Sequence, residues 1–146
     1  MFRTILLPID VQHEASWQKA IPAARELLAE NGELHLLGIV HDVGNAWVAS
    51  YLPKGYEKQA LEAMKTRLGE LAGAELAGTE LAEEARVKTH VGYGHVAETI
   101  LEMAGRIGAD LIVMASRSPD EMRTFRVGSQ ADRVVRHSPI SVMILR

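Results

Sequence analysis

The sequence predicts an α/β fold, a five-stranded parallel sheet with helices on both faces. Five short apolar runs alternate with four segments of helical spacing, in the order β-α-β-α-β-α-β-α-β. Such alternation builds parallel strands joined by crossover helices. The run ADLIVMAS is apolar throughout, as a strand buried on both faces has to be. The 146 residues have the length of one domain, 1–146, and can bury about 68% of the unfolded surface.

Thr4 to Ile9 is a short apolar run and reads as the first strand. Glu14 to Glu30 reads as a helix, with Ala20, Ala24, Leu27 and Leu28 on one face. Pro22 inside it implies a kink or a late start, and Gly32 in ENG supplies a stop. Glu33 to Val40 is the second strand. A long connection, HDVGNAWVASYLPKG, follows. Tyr56 to about Ala72 is the second helix, with Leu61, Met64 and Leu68 spaced by three and four; the Ala/Glu/Gly-rich stretch after it extends the helix raggedly. Ala85 to Val91 alternates and reads as the third strand. Val96, Ile100, Met103 and Ile107 form one face of a third helix. ADLIVMAS is the fourth strand, and Ser129 to His137 is a short helix stopped by Ser138-Pro139. ISVMILR is the last strand.

Composition narrows the function. Net charge is −3, with 47% hydrophobic and 24% charged residues. The chain as a whole therefore has no strong attraction to nucleic acid or to an anionic membrane. The charge is uneven: Glu57 to Glu84 holds seven acids and three bases, while Arg117 to Arg146 holds six arginines and three acids. No cysteine is present, so disulfides and thiolate metal sites are excluded. The apolar run at the start is cut by Pro8 and Asp10, too short for a signal sequence, and no run has the length of a membrane span. The expectation is a cytoplasmic protein without membrane insertion.

In an open parallel sheet, ligands bind beyond the carboxyl ends of the strands, where strand order reverses. The sequence alone leaves 2-1-3-4-5 and 3-2-1-4-5 both open. In the second, the reversal lies between strands one and four, which end at Pro8-Ile9-Asp10 and Met114-Ala115-Ser116. Asp10 then suits a ribose hydroxyl or a metal-bound phosphate, or it serves the turn as a helix cap. Gly128-Ser129 opens the fourth helix, whose free N–H groups favour phosphate; Ser129 could also cap that helix. Arg117, Arg123 and Arg126 raise the positive potential nearby.

The chain resembles the universal stress protein family from end to end. TILLPID looks like its opening strand, and AIPAARELLAENGELHLLGIV like its first helix and second strand. VAETILEMAGRIGADLIVMAS followed by GSQADRVVRHSPISVMIL looks like its C-terminal signature. The resemblance implies a Rossmann-like fold of the adenine nucleotide alpha hydrolase-like kind, with strand order 3-2-1-4-5. One branch of the family binds ATP through G-x-x-G, nine residues, then G-[S/T]. On this chain those positions are Ala115, Ser118, Gly128 and Ser129. The spacing is kept and the first two glycines are not. A left-handed backbone at Ala115 would cost about 1–2 kcal/mol, and Pro119 pushes Ser118 towards an extended conformation. ASRSPD also resembles a family variant, Ala-Ser-His-Arg-Pro, that still binds ATP. By position, the resemblance gives the adenine to Pro8, Ile9, Ile39 and Met114, and the ribose to Asp10. It gives the phosphates to Ser118, Gly128, Ser129 and the amide of Gln130. Family members more often have His-Val where this chain has Gly38-Ile39; the glycine either widens the pocket or packs against a neighbour. The resemblance further implies a homodimer paired through the last strand, an unknown protein partner, and a nucleotide-responsive role in stress. ATP is the implied cofactor, and Mg²⁺ could accompany its phosphates, though the sequence offers no carboxylate cage for a metal.

Other signals are weaker. GYGHVA fits G-x-G-x-x-A, the dinucleotide fingerprint, but lies in the third βα unit and lacks the acidic residue that should end the next strand. Turn and helix-start glycines explain it better. Ser116 and Ser129 have no evident His/Asp partner, so no enzyme activity is expected beyond slow ATP hydrolysis. Trp47, Tyr51 and Tyr56 suit a satellite cluster under a loop better than a lid or partner surface. Two other functions stay open: a dimeric interaction module that has lost nucleotide binding, and an adenylate-handling hydrolase.

Overall fold

In the computed structural model, residues 1–41, 47, 50–116 and 128–146 are described. They form one parallel sheet in the order β3-β2-β1-β4-β5. The strands are β1 (Phe2–Ile9), β2 (Leu28–His41), β3 (Val87–Gly94), β4 (Leu111–Ala115) and β5 (Ser141–Leu145). The helices are α1 (Ala20–Leu27), α2 (Tyr56–Leu76), the single turn α3 (Glu80–Glu83), α4 (Val96–Ile107) and α5 (Ser129–His137). The order 3-2-1-4-5 agrees with the sequence analysis.

Side chains alternate across each central strand and divide the core in two. Ile5, Leu7 and Ile9 join Leu34, Leu36 and Val113 under α1 and α2, where Ala24, Leu68 and Leu76 are buried. Leu6, Leu37, Ile112 and Met114 face α4 and α5, against Ile100, Met103, Ala131 and Val134. Both faces of β1 and β4 are thus covered, which is why those strands read as unbroken apolar runs.

The helix expected over Glu14 to Glu30 is shorter. A 3₁₀ turn spans Glu14–Ser16, and the α-helix begins at Ala20. Pro22 falls in its first turn, where a missing N–H costs no intrahelical bond. At Leu28 the backbone turns extended and pairs with Phe2; the register then jumps, so that Thr4 pairs with Glu33. Asn31 (φ 62°) takes up the bulge, and a Cβ on Gly32 would lie 2.8 Å from Leu28 Cδ1 and Cγ. ENG is thus a bulge inside β2 rather than a helix stop. α2 runs past Ala72 to Leu76, and Gly78 (φ 74°) then breaks the chain before Thr79 caps α3 by accepting from the Ala82 N–H at 3.3 Å.

β3 continues to Gly94, beyond the expected Val91. GYG therefore ends an edge strand. A Cβ on Gly92 would lie 2.5 Å from Thr99 Cγ2, so this glycine lets the first turn of α4 close on the strand. α4 ends at Gly108 (φ 66°), where Ala109 N donates to Ala104 O at 2.9 Å. Next to it, Asp110 accepts from the N–H groups of Arg3 and Thr4, both at 2.9 Å, and pins the start of β1 to the start of β4.

Between β2 and β3, buried His35 meets His90 (Nδ1 to Nε2, 2.7 Å) and Glu33 (Nε2 to Oε2, 3.0 Å). Burial holds His90 below the ordinary imidazole range; the neighbouring His35 and Arg106 add to the effect. The exposed Trp47 and Tyr51 pack edge to face, ring centroids 5.1 Å apart, and Tyr56 is also exposed. The buried satellite cluster expected of these aromatics is not what the structure shows.

Candidate functional site

The site begins where a ladder stops. β1 pairs with β2 as far as Ile9↔Gly38, but with β4 only at Ile5↔Leu111 and Leu6↔Ile112. β4 instead stays with β5 out to Ala115↔Leu145. β1 and β4 therefore part beyond Leu6 and Ile112, at the point where strand order reverses. Pro8, which has no N–H to give a ladder, sits where that pairing has already ended.

A cavity of about 740 Å³ opens at this rim, within the roughly 300–1,000 Å³ usual for small-molecule sites. Pro8, Ile9, Asp10, Ile39, Met114, Ala115, Gly128, Ser129 and Gln130 all line it. Ser118 lies outside the described residues, as do Arg117, Arg123 and Arg126. The structure thus gathers nine of the ten residues named from the sequence, drawn from the ends of three strands and the start of one helix.

Asp10 directly follows β1 and shapes the turn there. Its Oδ1 accepts from the Gln12 N–H at 3.0 Å, and its Oδ2 lies 3.0 Å from His13 Nδ1. The Asp10 N–H donates to Ser16 Oγ, while its carbonyl accepts from the Ser16 hydroxyl and from His13 N, each at 3.0 Å. The turn role considered for Asp10 is therefore real. It leaves a second function open, since each carboxylate oxygen has more than one lone pair.

Gly128, not Ser129, is the N-cap of α5, and as glycine it makes no side-chain cap to the helix. The first closed turn is Asp132 N to Gly128 O, 2.9 Å. The N–H groups of Ser129, Gln130 and Ala131 therefore have no carbonyl partner within the helix, and all three residues line the cavity. Together they present a partial positive charge to its interior.

Ala115 is an ordinary strand residue, paired with Leu145; the described non-glycine residues with positive φ are Asn31 and Ala85. The left-handed strain considered for Ala115 does not arise.

One wall was missed from the sequence. Ala60, Ala63, Met64 and Arg67 of α2 line the cavity, at the spacing of a single helix face. Arg67 Nη2 donates to Val11 O at 3.3 Å across the mouth. Gly38 does not widen the cavity: a Cβ there would lie 2.8 Å from Met64 Sδ and 2.9 Å from Met64 Cγ, so Met64 occupies the room. Among the described residues, no cluster of three or more His, Asp or Glu could hold a metal ion.

Comparison with known proteins places this geometry among relatives. The sequence model of the Universal stress protein family matches residues 1–146. Universal stress protein G of Salmonella typhimurium is 30% identical over 148 residues, covering all of both chains. The structure of universal stress protein UspA from Lactobacillus plantarum superposes with a TM-score of 0.64 at 23% identity, covering 98% of this chain and 97% of that one. A universal stress protein in complex with cAMP superposes with a TM-score of 0.60 at 19% identity, covering 99% and 97%.

Proposed function

The chain belongs to the universal stress protein family, and from that premise we propose that it binds ATP in the β1/β4 cleft. On this reading it is a cytoplasmic homodimer acting as a nucleotide-responsive stress regulator. The observation that carries the reading is the meeting, in one cavity, of the α5 N–H groups, the Asp10 carboxylate and an apolar floor of Ile9, Ile39 and Met114. Phosphate, ribose and base each need one of those three chemistries. The cAMP bound to a structural neighbour supports an adenine nucleotide as the ligand class.

In this arrangement Ser129 and Gln130 hold phosphate oxygens through backbone N–H groups, with Ser118 as a further donor. Asp10 accepts from a ribose hydroxyl without leaving its turn. Mg²⁺, where it accompanies the nucleotide, is held by the phosphates and water. The ionisable residues lining the cleft among those described are Asp10, His41 and Arg67, a set suited to holding a phosphorylated ligand more than to cleaving it. We therefore read the protein as a binder rather than an enzyme, with slow hydrolysis at most. The position of β5 at one edge of the sheet supports its proposed role in the dimer, because pairing two such edges removes an exposed ladder. No described helix is long and apolar enough to cross a membrane.

Calorimetric titration of nucleotide-stripped protein with ATP and Mg²⁺ tests the proposal. Micromolar binding is the expected result. Absence of heat at two temperatures, together with failure to displace a labelled nucleotide, would leave the reading of a dimeric interaction module without nucleotide.

A further inference from the structure

The α2 wall assigns a residue to the far end of the cleft. Gly38 stands level with Ile9 in the β1–β2 register, at the height where β1 ends and the cavity begins. Its missing Cβ is filled by Met64: the nearest atoms to that position are Met64 Sδ at 2.8 Å and Met64 Cγ at 2.9 Å. One turn further along, Leu68 Cδ2 lies 3.5 Å from the same point and is fully buried. Met64 is thus wedged between the sealed core and the open cavity, and it is partly exposed to the latter. Its neighbours on that helix face, Ala60 and Ala63, are too short to fill the space, so the apolar bulk of this wall is Met64.

The direction of the cleft gives this bulk a meaning. α5 follows β4 and belongs to one face of the sheet with α4; α2 lies on the other, over β2 and β3. A ligand with its phosphates at the start of α5 and its ribose at Asp10 points its base at α2. In an adenine base the amino-bearing edge is farthest from the ribose. Resting on the ATP reading above, we propose that Met64, seated by the absent side chain of Gly38, bounds the base end of the cleft and sets the size of base the protein accepts, with the 6-amino edge directed at its thioether. A thioether suits this place because it is polarisable and packs well at the edge of an aromatic ring.

The test compares ATP with ATP carrying a benzyl group on the 6-amino nitrogen, in the full chain and its Met64→Ala variant. Wild type should prefer ATP by about tenfold or more, the scale of size discrimination in apolar pockets. Met64→Ala should narrow or reverse that preference, chiefly by gaining affinity for the benzyl nucleotide, while Met64→Leu keeps it. Gly38→Ala should weaken ATP by driving Met64 into the cleft, and adding Met64→Ala to it should restore binding. Inorganic triphosphate, as competitor, should bind all variants alike. If ATP binds and the ratio of the two nucleotides is the same in wild type and Met64→Ala, the role of Met64 is overturned. If wild type binds neither nucleotide, the ATP reading fails and this one with it. Melting curves of each variant separate either result from loss of the fold.

Discussion

Replacing Gly128 by aspartate should strengthen α5 and abolish phosphate binding at the same time. Gly128 is the N-cap of α5, with φ −57° and ψ 152°, a conformation open to any L residue. An aspartate there is a strong cap: its carboxylate would accept from the N–H of Gln130 or Ala131, adding about 0.5 kcal/mol or less relative to glycine. The Gln130 N–H is one of the donors proposed for the phosphates, and the Ala131 N–H lies beside it at the cavity. Losing one or two hydrogen bonds to a charged group removes roughly 1.5–3 kcal/mol each. A fixed carboxylate about 4 Å from a phosphate oxygen adds repulsion of about 1 kcal/mol in water and more where solvent is excluded. The sum is at least about 2.5 kcal/mol, or about fiftyfold or more in Kd. Calorimetry gives the affinity, and a thermal melt without nucleotide gives the stability. Gly128→Ala is the control, with affinity close to wild type and a slightly lower Tm. A Gly128→Asp protein that melts no lower than wild type and binds ATP within about threefold of it would refute the reasoning, because the phosphates would then lie away from the start of α5.

Three further outcomes test the framework. His90 has a depressed pKa in the folded protein, from burial, His35 and Arg106. Its stabilising effect is therefore complete above the unfolded imidazole pKa of about 6.5 and is lost as pH falls through the folded value. Urea melts at pH 7.5 and 5.5 should show wild type weakening more over that interval than His90→Gln; equal losses would count against it. Asp110→Ala removes the acceptor shared by the N–H groups of Arg3 and Thr4, and should cost about 1–3 kcal/mol in chemical denaturation; a change below about 0.5 kcal/mol would mean that water replaces the carboxylate. Sedimentation velocity should find the chain at twice its monomer mass at micromolar concentration, and a monomer at every concentration would remove β5 as a dimer edge.

Much of the architecture was legible because burial leaves a pattern. A strand enclosed on both faces has to be apolar throughout, so LIVMA announced β4. α4 declared itself through the apolar spacing of Val96, Ile100, Met103 and Ile107, and α5 through its stop at Ser138-Pro139. The misjudged boundaries have local causes. β2 begins at Leu28 because the bulge at Asn31 and Gly32 lets the chain pair with Phe2 before its apolar run starts. β3 runs on to Gly94 past Gly92, which makes room for Thr99, a contact between elements that spacing cannot reveal. Trp47 and Tyr51 are exposed although their residue types suit a core.

The sequence by itself determined the class of fold and the residues that end its central strands, because both follow from local burial and turn chemistry. It also carried the family, through the residues of the C-terminal signature. Only the tertiary structure decided that Gly128 caps α5, that Ala115 needs no special backbone, and that α2 supplies a wall of the cleft. Met64 reads in sequence as one more core methionine at helical spacing. What distinguishes it is a space left by Gly38, on a strand that packing alone brings beneath it. A cavity is bounded by residues distant in the chain, and their shared surface exists only after the sheet has set their register.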